Sequence, residues 1–278
     1  MPIFDTPEPI TATFDFDIAS VRITASERTD TVVEVRPVNS ADTADVRAAQ
    51  QTAVTCSGGT LLVQGPRKRS PFGKSGAIDV SVDLPAGSDI RGNSPAADFR
   101  CAGPLGACRI ETSAGHLQLA TAATVDLRSG YGDVSIDRVA GDVDIVAAGR
   151  ITVGEVTGSA TIENGSGETT VGEVMGDLRV NATAGRVSVD IAHAGVDART
   201  ANGGIRIGEV ARGRAVLQTA AGDLAVGIRP STTAWIEVNT QLGRVRNDLG
   251  PAEGPAADEE TVEVRARTGI GDIVIHRS

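Results

Sequence analysis

Gly154-Glu155-Val156, Gly172-Glu173-Val174 and Gly208-Glu209-Val210 are one triplet written three times, at steps of 18 and then 36 residues. Carboxylates spaced so evenly invite a test for a hard divalent cation, which takes roughly six or more oxygen ligands. If the step marks stacked strands, Glu155 and Glu173 lie about 5 Å apart. At that distance each charge disfavours the other's ionisation. Ile191 fills the slot between Glu173 and Glu209, and Arg138 precedes Glu155 in the same series. Two adjacent carboxylates supply too few oxygens for a firm site. The series reads as an exposed acidic ladder with at most weak cation affinity, and no metal or other cofactor is expected.

The other charged cluster is basic. Arg67, Lys68, Arg69 and Lys74 lie within ten residues, between two strand-like stretches. A protruding loop of this kind suits an acidic partner or an anionic membrane surface, where each basic side chain adds about 1 kcal/mol. Four charges without a lipid anchor would hold a membrane only weakly. His116, His193 and His276 are scattered, with the first two at polar turn or outward positions. Solvated side chains are expected there. Zinc-protease, phosphate-loop and serine-hydrolase motifs are all missing from the sequence, so no catalytic residue is assigned.

Positions this regular need a repeating scaffold. Glycines 115, 132, 149, 167, 185, 203 and 222 recur at steps of 17 to 19 residues. Aliphatic residues follow two and four places later, as in Val134/Ile136, Ile151/Val153, Val187/Val189 and Ile205/Ile207. A second series holds Val125/Leu127, Val143/Ile145, Leu178/Val180 and Ala215/Leu217. Apolar residues two apart mark a strand with one buried face, whereas a helix needs spacings of three and four. Short strands at a constant period describe an all-β, single-stranded β-solenoid (β-helix) with coils of about 17–19 residues. Sliding one step back places Cys101 beneath Leu119 and Cys108 beneath Val125, inward positions where a free thiol packs as a small hydrophobe.

The ends are less regular. Residues 10–36 alternate like strands, and Ser40–Gln51 carries early acids and capping residues, which predicts a short helix near the N-terminus. The chain reads as one solenoid domain over 1–278: N-terminal strands, helix and first coils to 96, regular repeat over 97–247, and closing strands over 262–278. Between them, 248–261 is acidic and rich in Pro and Gly and reads as a mobile loop.

Leu84-Pro85-Ala86-Gly87-Ser88, the repeated Gly-x-Val-x-Ile units, Ala234-Trp235-Ile236 and the closing Gly271-Asp272-Ile273-Val274-Ile275 together resemble a bacterial family. This is the toastrack family of β-strand-repeat proteins, also described as putative adhesins. The resemblance covers the chain from about residue 8 to its end. It implies a solenoid fold and, in some members, a link to cell-envelope or membrane-stress systems, and it brings no catalytic residues to transfer.

Composition bounds the function further. Net charge is −10, which opposes nonspecific nucleic-acid binding because that needs a basic surface to displace counterions. Only 3% of residues are aromatic, so sugar-stacking platforms are scarce. The expected function is a non-catalytic interaction or scaffold protein, and the alternative is a carbohydrate-binding or polysaccharide-acting β-helix enzyme. A protein partner is expected, with peripheral membrane contact and self-association through solenoid ends or faces as further routes. No apolar run reaches the roughly 18 residues of a membrane span. Three cysteines without paired spacing and the absence of a signal-like start point to the cytoplasm.

Overall fold

A computed structural model describes residues 1–66, 75–250 and 260–278. Nearly all regular structure is β-strand, joined by one helix among the described residues, Thr43–Gln51. The strands stack, mostly in parallel, into the coils of a β-solenoid. Contacts divide the chain into two compact units, Met1–Ala140 and Gly141–Ser278. That division falls inside the stretch 97–247 read as one continuous repeat.

In the first unit, Asp89–Ala114 pairs in parallel with Leu117–Tyr131, which pairs in turn with Val134–Val139. The register stacks Phe99 on Leu117 and Val134, and Cys101 on Leu119 and Ile136. These side chains are buried, as are Cys108 and Ile110 in the second column. The coils of the N-terminal half incorporate antiparallel pieces. Asp30–Pro37 runs antiparallel to Ile78–Pro85 and to Ile3–Asp5, and Ala53–Ser57 runs antiparallel to Thr60–Gln64. The helix is capped by Asp42, whose carboxylate accepts the Ala44 N–H. Buried Asp45 accepts backbone N–H groups from Asn39 and Ala77, which ties the helix to its surroundings. Phe14, Phe16 and Phe99 form an aromatic cluster with ring centroids 6.1–6.3 Å apart.

The second unit is built from two parallel stacks. One holds Val143–Ala147, Ala160–Asn164, Leu178–Ala184, Val196–Asn202 and Gly213–Ala221 in order. The other holds Ile151–Val156, Thr169–Val174, Val187–Ala192, Ile205–Val210 and Leu224–Ile228. Ile151, Val187, Ile205 and Leu224 share one buried column. Thr169 sits in it too, apparently out of pattern, yet its Oγ1 accepts a 2.9 Å hydrogen bond from Asn164 Nδ2. Asn164 is itself buried, and it also donates to the carbonyls of Gly149 and Gly167. A buried polar pair satisfied in this way costs little.

The glycine period has a steric cause. Gly185 has a φ of 124°, and a Cβ on it would land on the carbonyl oxygen of Gly167. Gly203 stands in the same relation to Gly185, and Gly222 to Gly203. Successive coils approach too closely at this corner for any side chain.

The column then departs from chain order. Gly271 packs on Gly222, and Gly243 packs on Gly271. The strands agree: Glu260–Ile270 lies between Gly213–Ala221 and Thr232–Leu242, in parallel with both. Ile273–Arg277 lies likewise between Leu224–Ile228 and Val245–Asn247. The last coil in sequence is therefore the penultimate coil in space. Among the described residues, the coil 232–247 forms the terminal edge of the second unit, although sequence order alone places 262–278 there.

Candidate functional site

The Gly-Asp phrase of the repeat also has a structural task. Asp142 Oδ1 accepts the Ser159 N–H at 2.9 Å, Asp177 Oδ1 that of Gly195 at 3.0 Å, and Asp223 Oδ1 that of Asp272 at 2.8 Å. Each carboxylate holds the turn of the coil stacked on it. These acids are thereby committed to backbone, which removes them from a list of candidate catalytic groups.

The acidic ladder falls where the register requires. Glu155 pairs with Glu173, Glu173 with Ile191, and Ile191 with Glu209. The side chains then separate. Glu173 Oε1 lies 2.7 Å from Nε2 of His193, which is half-buried and so differs from the solvated residue expected. Glu209 Oε1 accepts from Arg229 Nε at 2.6 Å, and its Oε2 accepts from Ser278 Oγ at 2.8 Å. Partial burial by itself would raise the Glu209 carboxyl. The Ser278 hydroxyl and Arg229 outweigh it, and the group ends below its ordinary value. Glu173 and Glu209 of the ladder thus each meet a partner of their own, and no group of three or more metal-ligating side chains converges among the described residues. Its partners His193 and Arg229 arrive from the following coil one step on, a displacement that strand spacing does not reveal.

Arg67, Lys68, Arg69 and Lys74 lie outside the described residues, as do 251–259 of the acidic stretch; Glu260 and Thr261 already belong to a strand. The thiols are buried or half-buried. Burial pushes Cys108 up to about 12 and Cys101 further, so neither is a nucleophile at neutral pH.

A feature the sequence reading missed is a concave groove of about 810 Å³ on the outer face of the second unit. It crosses the strands from Ala160–Asn164 to Glu260–Ile270. Arg179, Arg199, Arg214, Arg265 and Arg267 line it, with Asp177 and Asp197 as the acids among the lining residues. Register explains the gathering. Arg179 stands beside Asp197, Asp197 beside Val216, and Val216 beside Arg265, one outward column across four coils. Arg199, Gln218 and Arg267 form the next. Most of the guanidinium groups have partners: Arg199 with Asp197 at 2.9 Å, Arg214 with Glu263 at 2.9 Å, Arg267 with Glu237 at 2.7 Å. Arg179 has no ion-pair partner among the described residues. Pairs this exposed contribute little to stability and exchange readily for a ligand's charges. In a chain of net charge −10, the groove is a local concentration of positively charged side chains. An outward arginine every few coils is visible in the sequence only once the coils are stacked.

The profile of the Toastrack DUF4097 family matches residues 13–275. The chain belongs to that family. Among solved structures, this toastrack chain is similar to a "putative adhesin" from Bacteroides fragilis NCTC 9343, with 9% identity, 99% of this chain and 95% of that chain covered, and a TM-score of 0.34. A "putative adhesin" from Parabacteroides distasonis ATCC 8503 gives 12% identity over 98% and 95%, with a TM-score of 0.33. One from Parabacteroides merdae ATCC 43184 gives 12% over 100% and 95%, with a TM-score of 0.31. No curated protein matches the toastrack chain. No described helix is long and apolar enough to cross a membrane.

Proposed function

We propose that this toastrack chain is a non-catalytic interaction protein whose contact surface is the arginine-lined groove of the second unit. The observation that carries the reading is the gathering of five arginines in one groove of an acidic protein, with Asp177 and Asp197 in its lining and Glu237 and Glu263 reaching in beside them. Parallel strands hold neighbouring coils about 4.8 Å apart, so the groove presents charge at fixed intervals along a rigid floor. An extended acidic segment of a partner protein fits that arrangement, since its carboxylates exchange with those of Asp197, Glu237 and Glu263 for the same guanidinium groups. Unpaired cysteines suit a reducing compartment, and the proposed address is the cytoplasm. The envelope link implied by the family resemblance supports a partner at or near the cell envelope.

Binding of a fluorescent poly-glutamate peptide, followed by anisotropy at low and at physiological salt, tests this. The wild type is expected to bind with marked salt dependence, and Arg179→Glu combined with Arg265→Glu should weaken binding at least about tenfold. Binding that survives the double substitution would remove the groove from the proposal. Cleavage of a polysaccharide panel by the purified chain would replace the reading with the enzymatic one.

A further inference from the structure

The terminal coil of the second unit, 232–247, is unlike the coils beneath it. Among the described residues, Thr232–Leu242 pairs with Glu260–Ile270 on one side only, and Val245–Asn247 pairs only with Ile273–Arg277. Residues 234–242 therefore present an edge that no described strand pairs with, whereas Thr232 and Thr233 are buried and the Thr232 carbonyl already accepts from Arg277. The core ends open as well. Val262, Val264 and Ala266 are fully buried, whereas their counterparts one coil further out, Ala234, Ile236 and Val238, are only half-buried. At the coil's corner Leu242 is 65% exposed, and Val245 at the end of the Ile273 column is 46% exposed. Neither proline nor lysine, the usual guards of a strand edge, occurs between 232 and 247. The antiparallel edge strands of the first unit are short by comparison, three residues in Ile3–Asp5 and five in Ala53–Ser57.

We infer that this edge is the docking surface for a second copy of the chain, two copies meeting end to end with their 232–242 strands antiparallel. Charge selects the occupant. Glu237, at the centre of the strand, is held by Arg267 at 2.7 Å and Arg265 at 3.5 Å. Antiparallel pairing about that residue sets the two Glu237 carboxylates opposite one another, a repulsion offset by the Arg265 and Arg267 guanidinium groups of both copies, two for each carboxylate. It also places Ile236 of one copy opposite Val238 of the other, apolar pairs that extend the core by one layer. The area fits a weak, reversible dimer. The residues 234–240 that pair symmetrically about Glu237 span roughly 24 Å, and an end surface roughly 20 Å wide then gives about 480 Å² per copy, below the standard of about 800 Å² per partner and within the range of transient interfaces.

Sedimentation velocity of the full chain across a micromolar concentration series tests the inference. The expected species has twice the 28.4 kDa mass of one chain. Glu237→Lys, an exposed change with little effect on folding, should give a monomer, and Val238→Lys should do the same with an unchanged circular dichroism spectrum. If Val238→Lys unfolds, Glu237→Lys decides alone. A wild type that stays monomeric throughout, or a Glu237→Lys variant that dimerises like the wild type, would overturn the end-to-end dimer.

Discussion

At the residue scale, the period of the chain reflects two backbone constraints. The corner glycines have no space for a Cβ, and Gly185 also has a φ that side chains rarely adopt. Gly185→Ala is expected to cost at least about 2 kcal/mol, read as a lowered melting temperature. Gly165→Ala is the control. A Cβ at Gly165 meets the Ala148 side chain at 3.4 Å and the Ala147 carbonyl oxygen at 3.8 Å, ordinary contacts, and the cost should stay within about 0.5 kcal/mol. Equal losses at both would refute the corner geometry. Glu209 makes a pH prediction. Its carboxyl is held below its ordinary value in the folded state. A depressed folded pKa stabilises the protein above the unfolded value, and that contribution is lost as pH falls through the folded one. Glu209→Gln should therefore lower the melting temperature near neutrality and flatten its decline on the acid side. Identical acid-side slopes for the two proteins would count against this linkage. Both cases rest on residues the sequence reading had singled out, but only the coordinates supplied their partners, Gly167, Arg229 and Ser278.

At the scale of elements, strand positions follow closely from aliphatic spacing. Val187 and Val189 were expected to face inward on Val187–Ala192, and both are buried. The helix foreseen within 40–51 forms at Thr43–Gln51. What spacing could not convey is the order of the last two coils. Both carry the same aliphatic alternation, so either fits the slot on Gly213–Ala221. Burial reports the outcome: Val262, Val264 and Ala266 are fully buried, while the strand with Trp235, Glu237 and Asn239 outward has only partial cover inward and takes the edge. A cross-linking pair tests the order. Gln218 and Arg267 are register partners on adjacent parallel strands, about 4.8 Å apart and within disulfide reach. Gln218 and Asn239 lie two strands apart, about 10 Å, and beyond it. Gln218→Cys with Arg267→Cys should oxidise to an intramolecular disulfide on non-reducing gels, and Gln218→Cys with Asn239→Cys should not. The reverse pattern would restore sequence order.

For the whole molecule, bulk composition and local surface pull in opposite directions. A net charge of −10 keeps the chain soluble and repels polyanions at long range. Within a Debye length, about 8 Å at physiological salt, the groove's own arginines dominate instead. Binding there should accordingly favour partners whose acidic groups are concentrated in a short segment over diffusely charged ones. The scarcity of aromatics has a structural counterpart too. The three rings in contact with one another, Phe14, Phe16 and Phe99, all lie in the first unit, whereas the second is packed by Val, Ile, Leu and Ala layers. A core of coils at constant spacing has uniform thickness, and residues of uniform size fill it better than a few large ones.

The sequence by itself determined the fold class, the coil length and the inward or outward sense of most side chains. All three are local: alternation, glycine period and turn chemistry act within one coil and repeat in the next. The order of the final coils, the pairing of Glu173 with His193 and of Glu209 with Arg229 and Ser278, and the assembly of the arginine groove were decided by the tertiary structure. Each depends on which coil lies beside which and on where a long side chain reaches across the stack, and residues remote in sequence become neighbours only when coils compete for the same sheet edge.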